Sequence, residues 1–201
     1  MTKYPPLLPD SFYHLYNHGI GDELIFRSID NYQFFIEKMK IHLPPVMDVF
    51  TYSLLPNHFH LVIRTKPEDV IVREFKQKKG IEYDREKHKL SDFIMIRLGH
   101  CLNSYAKAFN KVNKRMGGVF MANTKRTDMQ DERGFMNAIL YAHKNAVHHG
   151  YTRKIGEWLH DGYNDLLSNP ETWLMRDEIF QRFGSREEFI RIHESLKIER
   201  K

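Results

Sequence analysis

The stretch that decides the fold is Val46-Met-Asp-Val-Phe-Thr-Tyr-Ser-Leu-Leu55, then Pro56-Asn57, then His58-Phe-His-Leu-Val-Ile-Arg-Thr65. Both arms are rich in β-branched and aromatic residues, which fit a pleated chain. A Pro-Asn pair between two such runs is turn chemistry, so Val46–Leu55 and His58–Thr65 read as antiparallel strands. Alternate residues on a strand share a face. His58 and His60 therefore lie side by side, with Phe59 turned to the other face. Two imidazoles on one sheet face either grip a divalent metal or are simply half-exposed histidines.

Upstream, Ser11 to Ile20 reads as a strand with Tyr13, Leu15 and Asn17 on one face and His14, Tyr16 and His18 on the other. After a polar turn at Gly21-Asp22-Glu23, Asp30 with Gln33 has the capping-box spacing that opens a helix. That helix runs to Leu43 with Phe34, Phe35, Met39 and Ile41 as apolar contacts, and Pro44-Pro45 ends it. Downstream, a helix carries Val70, Val72 and Phe75, and the charged segment Gly80 to Leu90 reads as a mobile loop. Ser91 starts a long helix to Asn113, with Phe93, Ile94, Ile96, Leu98, Leu102, Tyr105 and Phe109 as core candidates. Gly117-Gly118 turns into a fourth strand, Val119 to Thr127, and Asp131 opens a helix through His149 that Gly150 closes. The tail holds helices around Trp173 to Phe183 and Arg186 to Ile198.

The order β-α-β-β-α-β predicts an α+β fold, a ferredoxin-like antiparallel sheet with an added tyrosine-bearing helix, over residues 1–150. Residues 151–201 read as a helical C-terminal extension anchored on the core by Trp158 and Trp173.

Composition bounds the function classes. With 41% hydrophobic and 28% charged residues among 201, the chain is not disordered throughout. Its single cysteine, Cys101, excludes an internal disulfide and reads as a buried thiol. No apolar run is long enough to span a membrane and Met1 to Asp10 lacks a signal-peptide core, so a cytoplasmic location is expected. The net charge of +5 is uneven: Arg73 to Arg126 carries +9 and the remainder −4. Aromatics interleave with that basic block, a combination shared by solvated helix faces and single-stranded nucleic-acid sites.

On the late helix, a step of 100° per residue puts Phe135, Ala138, Ile139, Ala142 and Ala146 on one side. Asn137, Tyr141, Lys144, Asn145 and His148 fall on the other. Tyr141 is a lone aromatic in a polar arc, with Asn145 one turn on. Such a phenol is surface filler or, beside a metal, a nucleophile. The rival, Tyr105, sits among Leu102, Ala106, Ala108 and Phe109 and reads as core. His148-His149 reads as a pair favoured by the helix dipole.

Together, Phe12-Tyr13-His14-Leu15-Tyr16-Asn17-His18-Gly19, Leu55-Pro56-Asn57-His58-Phe59-His60-Leu61, Phe109-Asn110, Gly118-Val119-Phe120 and Tyr141-x-x-x-Asn145 resemble the single-tyrosine HUH transposases. The resemblance is nearest to their REP-associated tyrosine transposase branch and covers about Phe12 to Gly150. It implies a ferredoxin-like core that nicks and rejoins single-stranded or hairpin DNA. It further implies Mg²⁺ or Mn²⁺ held by His58 and His60 with Asn145 as third ligand, and attack of Tyr141 on a DNA phosphate to leave a 5′-phosphotyrosine. Candidate DNA contacts are His14, Asn17, His18, Lys125, Arg126, Lys111, Lys114 and Arg115. The basic block lies in sequence between the histidine strand and the tyrosine helix, where DNA would be held. Ala146 replaces the proline of the usual Tyr-Ile-x-x-Asn-Pro-Val pattern, which lets the helix run on; His18 stands where relatives often have arginine; Gly80 to Leu90 looks like an insertion. DNA is the expected partner, with no membrane and with a monomer or homodimer open. The rival readings are a domesticated DNA-hairpin-binding protein without catalysis, and an unrelated metal hydrolase using His58 and His60 alone.

Overall fold

In the computed structural model, which describes residues 4–197, the hairpin forms as its sequence dictates: β2 (Met47–Leu55) and β3 (His58–Thr65) pair antiparallel across Pro56-Asn57. β1 (Phe12–His18) pairs antiparallel with β3, and β4 (Lys125–Met129) with β1. The sheet has four strands in the order β2-β3-β1-β4, the ferredoxin-like arrangement of an α+β fold.

Cross-strand register fixes the two faces, because directly opposed residues point the same way. Phe12, His14, Tyr16 and His18 oppose Arg64, Val62, His60 and His58, and Lys125 opposes Tyr16. Tyr13, Leu15 and Asn17, with Ile63, Leu61 and Phe59, make the other face. α1 (Ile29–His42) and α3 (Leu90–Val112) cover this second face: the Phe35 ring lies 5.3 Å from Phe59 and 5.2 Å from Tyr105. Tyr105 is core, with its hydroxyl donating to Ile25 O. α2 (Glu68–Lys79) packs behind α3 through Phe75 and Phe93, 5.3 Å apart. α4 (Glu132–His148) covers the histidine face, with Phe135 against Phe12 and Phe50 at 5.4 and 4.9 Å.

α5 (Gly162–Ser168), α6 (Arg176–Phe183) and α7 (Arg186–Glu194) follow. The chain around them runs along the outer edge of β2: Leu54 N donates to His160 O, Met175 N to Val49 O, and Trp158 Nε1 to Leu54 O at 2.9 Å. This covers backbone groups that an open edge would leave unpaired. A Cβ at Gly162 would collide with Thr51 Oγ1, so only glycine allows the approach.

Several expectations change. Val119–Thr124 is not strand; apart from an isolated Gly19–Phe120 bridge, β4 begins at Lys125. The segment is held by scattered bonds instead of a ladder: Asn17 Nδ2 donates to Met121 O and Thr124 Oγ1, each at 3.1 Å, and Met121 N to His18 O. α1 starts at Ile29 behind Ser28, without a capping box; Asn31 Oδ1 accepts from Arg27 N at 2.9 Å in its place. Ile41 and Ile96 point to solvent, outside their helices' core stripes. The segment after Gly80 is packed, not free: Tyr83 and His88 close on Phe75 at 5.6 and 4.8 Å, and Leu90 is buried. Cys101 is a buried thiol, pushed up to about 12 by burial. The expected end of the last helix, Ile198, lies outside the described residues. Among the described residues no helix is long and apolar enough to cross a membrane.

Candidate active site

The start of β3 and the middle of α4 converge. His58 and His60 are each 4% exposed, with ring centroids 5.2 Å apart. His18 stacks on His58 at 4.7 Å and Tyr16 on His60 at 5.6 Å, as their register requires. His58 Nδ1 lies 2.7 Å from Asn57 Oδ1. A carboxamide oxygen only accepts, so Nδ1 carries the proton and His58 Nε2 keeps its lone pair. Asn145 Nδ2 donates to that Nε2 at 3.3 Å, while Asn145 Oδ1 is buried with no hydrogen-bond partner. His60 Nδ1 and His14 Nε2 share a hydrogen bond of 2.9 Å. The Tyr141 ring meets His60 edge-on at 5.3 Å and His14 at 5.7 Å.

Burial sets the charge state. It pulls His58 down to about 3, assisted by His18 and His149, and His14 down to about 4. His60 is held well below the usual imidazole range by burial first and then by His14, His58, His18 and His149. These rings are therefore neutral near pH 7, the form that ligates metals. Burial, with Tyr16, pushes the Tyr141 phenol upward, so a nearby positive charge is needed to favour its phenolate.

Two neutral imidazoles and an orphaned amide oxygen have the donor chemistry a divalent cation takes, with the Asn145 amide donating in this structure to the His58 Nε2 lone pair that such a cation would use. Among the described residues no three His, Cys, Asp or Glu are grouped to hold a metal. Ala146 is buried and α4 runs unbroken past it, so Asn145 stays in helical register with Tyr141.

The other candidate residues divide. His14 and Tyr141 line an open groove of about 570 Å³ between β4 and α4, shared with Thr127, Gln130, Asn137 and Lys144. Lys144, absent from the sequence-derived DNA contacts, was findable from its i+3 spacing to Tyr141. Lys125 reaches the same face, its Nζ 5.7 Å over the Tyr16 ring. His18 stacks on His58 instead of standing free like an arginine. Asn17 does not join the site: it is buried on the opposite face, its Oδ1 accepting from His18 N at 2.7 Å and its Nδ2 engaged as above. Arg126 is also on that face, opposite Leu15, and donates to Pro5 O and Tyr4 O; one step of strand alternation separates it from Lys125. Arg115 is ion-paired with Glu23 at 2.9 Å and donates to Gly118 O, whereas Lys111 and Lys114 are exposed at the end of α3.

No protein-family model matches the chain. No curated protein sequence matches it either. Among solved structures, the chain is similar to one described as a REP-associated tyrosine transposase bound to a REP hairpin, with a TM-score of 0.57 and 13% identity over 84% of this chain and 87% of that one. At that identity the likeness establishes the fold: a four-stranded antiparallel sheet with helices, shared with a tyrosine transposase.

Proposed function

We propose that the chain cleaves and rejoins single-stranded or hairpin DNA through a tyrosine nucleophile, in the manner of the single-tyrosine HUH transposases, with Mg²⁺ or Mn²⁺. The carrying observation is that Tyr141 stands 5.3 Å from His60 while Asn145, one turn on, stands 3.3 Å from His58, all in one chain. The solved neighbour's hairpin supports the substrate class, and a DNA substrate suits a cytoplasmic protein. No second subunit is needed to bring these groups together.

In the reaction, Tyr141 Oη attacks a backbone phosphorus as its proton departs. The P–O3′ bond breaks as the O–P bond forms, leaving the 5′-phosphate on Tyr141 and a 3′-OH that takes up a proton. Attack by a 3′-OH on the phosphotyrosine restores a phosphodiester and the phenol. Each step exchanges one phosphodiester for another, so no external energy source is required. A divalent cation held by His58, His60 and Asn145 would neutralise the non-bridging oxygens and favour the phenolate. Lys144 and Lys125 hold flanking phosphates.

Tyr141→Phe is expected to abolish the covalent adduct with a labelled hairpin oligonucleotide in Mn²⁺ while keeping hairpin binding. An adduct formed by Tyr141→Phe overturns the assignment. Wild type that binds hairpins tightly yet forms no adduct in Mn²⁺ or Mg²⁺ would make the chain a hairpin-binding protein without catalysis, and cleavage unaltered by Tyr141→Phe would make it a metal hydrolase.

A further inference from the structure

A histidine that ligates a metal through one ring nitrogen holds the other on an outer acceptor, which fixes both tautomer and ring angle. Left to itself, an imidazole exchanges its proton between the two nitrogens and turns about its χ2 torsion. Here both outer nitrogens are Nδ1, and both are held. His58 Nδ1–H donates to Asn57 Oδ1 at 2.7 Å, and His60 Nδ1 lies 2.9 Å from His14 Nε2. We propose that Asn57 and His14 are positioning residues for a divalent-cation site: they hold the Nδ1 protons of His58 and His60 and so present both Nε2 atoms. This rests on the metal-dependent reading above.

Each holder is itself fixed. Asn57 sits in the β2–β3 turn, and its backbone oxygen accepts from Gly19 N at 2.8 Å, which ties the turn to the end of β1. His14 opposes Val62 while His60 opposes Tyr16, so His14 is the diagonal neighbour of His60 on the same face. Their rings stack at 5.0 Å and 27°. One proton lies between two ring nitrogens; with His60 Nε2 offered to a cation, that proton is on His60 and His14 Nε2 accepts it. His14, grouped by the sequence with the DNA contacts, is thereby assigned a different task. Both acceptors are uncharged, unlike the carboxylates common in this role. A carboxylate there would repel an incoming phosphodiester, and a neutral amide and imidazole do not.

Two measurements test this. Long-range ¹H–¹⁵N NMR of the metal-free protein reads histidine tautomers directly: Nδ1–H is expected for both His58 and His60, and Nε2–H on either ring overturns the assignment for that ring. Mn²⁺ titrations followed by EPR then compare wild type with His14→Phe, Asn57→Leu, the acceptor-preserving His14→Gln and Asn57→Asp, and His60→Ala. His14→Phe and Asn57→Leu are expected to bind Mn²⁺ about 10–100-fold more weakly. The acceptor-preserving variants should recover most of that loss, which a purely structural role would not predict, with melting curves confirming that each variant folds. Wild type that binds Mn²⁺ through His60, with His14→Phe and Asn57→Leu unaltered, overturns this inference alone. Wild type that binds no Mn²⁺ overturns the metal reading and the inference together.

Discussion

Behind Tyr141 a buried polar chain joins β2, α4 and α7, and removing one link has a cost that follows from its proton positions. His143 and His193 are 1% and 3% exposed. His193 Nδ1 faces Phe189 O at 2.6 Å; the carbonyl only accepts, so this nitrogen bears the proton. His193 Nε2 is then a lone pair that takes the Nδ1–H of His143 at 2.8 Å. His143 Nε2 in turn accepts the Thr51 hydroxyl at 2.6 Å. Every ring nitrogen is satisfied with both imidazoles neutral. His193→Leu orphans the His143 Nδ1–H among Tyr163 and Phe189, 5.5 and 5.8 Å away, which costs about 1–3 kcal/mol. Losing the imidazole's 4.1 Å packing on Phe189 adds about 1 kcal/mol. For a chain of this size the sum of about 2–4 kcal/mol lowers the melting temperature by about 4–16 °C, read by calorimetry or circular dichroism at neutral pH. Replacing both histidines by leucine removes the orphaned donor as well, so the double variant should be less destabilised than the two singles added, with a coupling of about 1–3 kcal/mol. A shift below about 1 °C for His193→Leu, or additive singles, refutes the chain as drawn.

Other outcomes follow from the same geometry. Burial lowers His193 to about 4, below its unfolded value, so the unfolded state takes up a proton that the folded state refuses. The contribution of His193 is therefore full above about pH 6.5 and declines by about 3 kcal/mol as pH falls toward 4; urea midpoints of wild type that stay flat from neutral pH to about 4.5 would contradict it. Lys144→Ala should weaken hairpin binding alike for all sequences and reduce the log–log salt slope by about 1, and a loss confined to some sequences would argue against a phosphate contact. Asn17→Ala should cost about 2–4 kcal/mol of unfolding free energy, because it strands Met121 O, Thr124 Oγ1 and His18 N; a variant as stable as wild type would show that these bonds are dispensable.

Local rules made the sheet and half of the site legible. The Pro56-Asn57 turn fixed the hairpin, strand alternation put His58 beside His60, and helical spacing put Asn145 a turn beyond Tyr141. Long-range contacts stayed hidden. Helical spacing puts Asn145 in the polar arc of α4 and His143 outside it, yet both are buried because the sheet lies on one side and the C-terminal helices on another. His143 carries no local signal, since its partner His193 is fifty residues away. The start of β4 differs as well: backbone pairing of Val119–Thr124 with the end of β1 is limited to the bridge at Gly19–Phe120, and Asn17 Nδ2 takes Met121 O and Thr124 Oγ1.

The charge distribution shows most sharply how sequence order and space diverge. The +9 block lies between the histidine strand and the tyrosine helix in sequence, but α2 and α3, which hold half of its cations, pack on the far side of the sheet. Several of its cations are already matched there, Lys76 by Glu82, Lys87 by Asp84 and Arg85 by Glu68. What faces the groove is sparser: neutral histidines, Lys144 and, from β4, Lys125, with Asp128 and Asp131 on the wall. Asp131 is engaged at the start of α4, where it accepts from Gly134 N at 2.7 Å. A phosphodiester entering this groove thus meets little fixed positive charge from the protein. On the reading proposed above, a cation held by His58, His60 and Asn145 would supply the strongest attraction, and binding and chemistry on this face would then depend on the same ion.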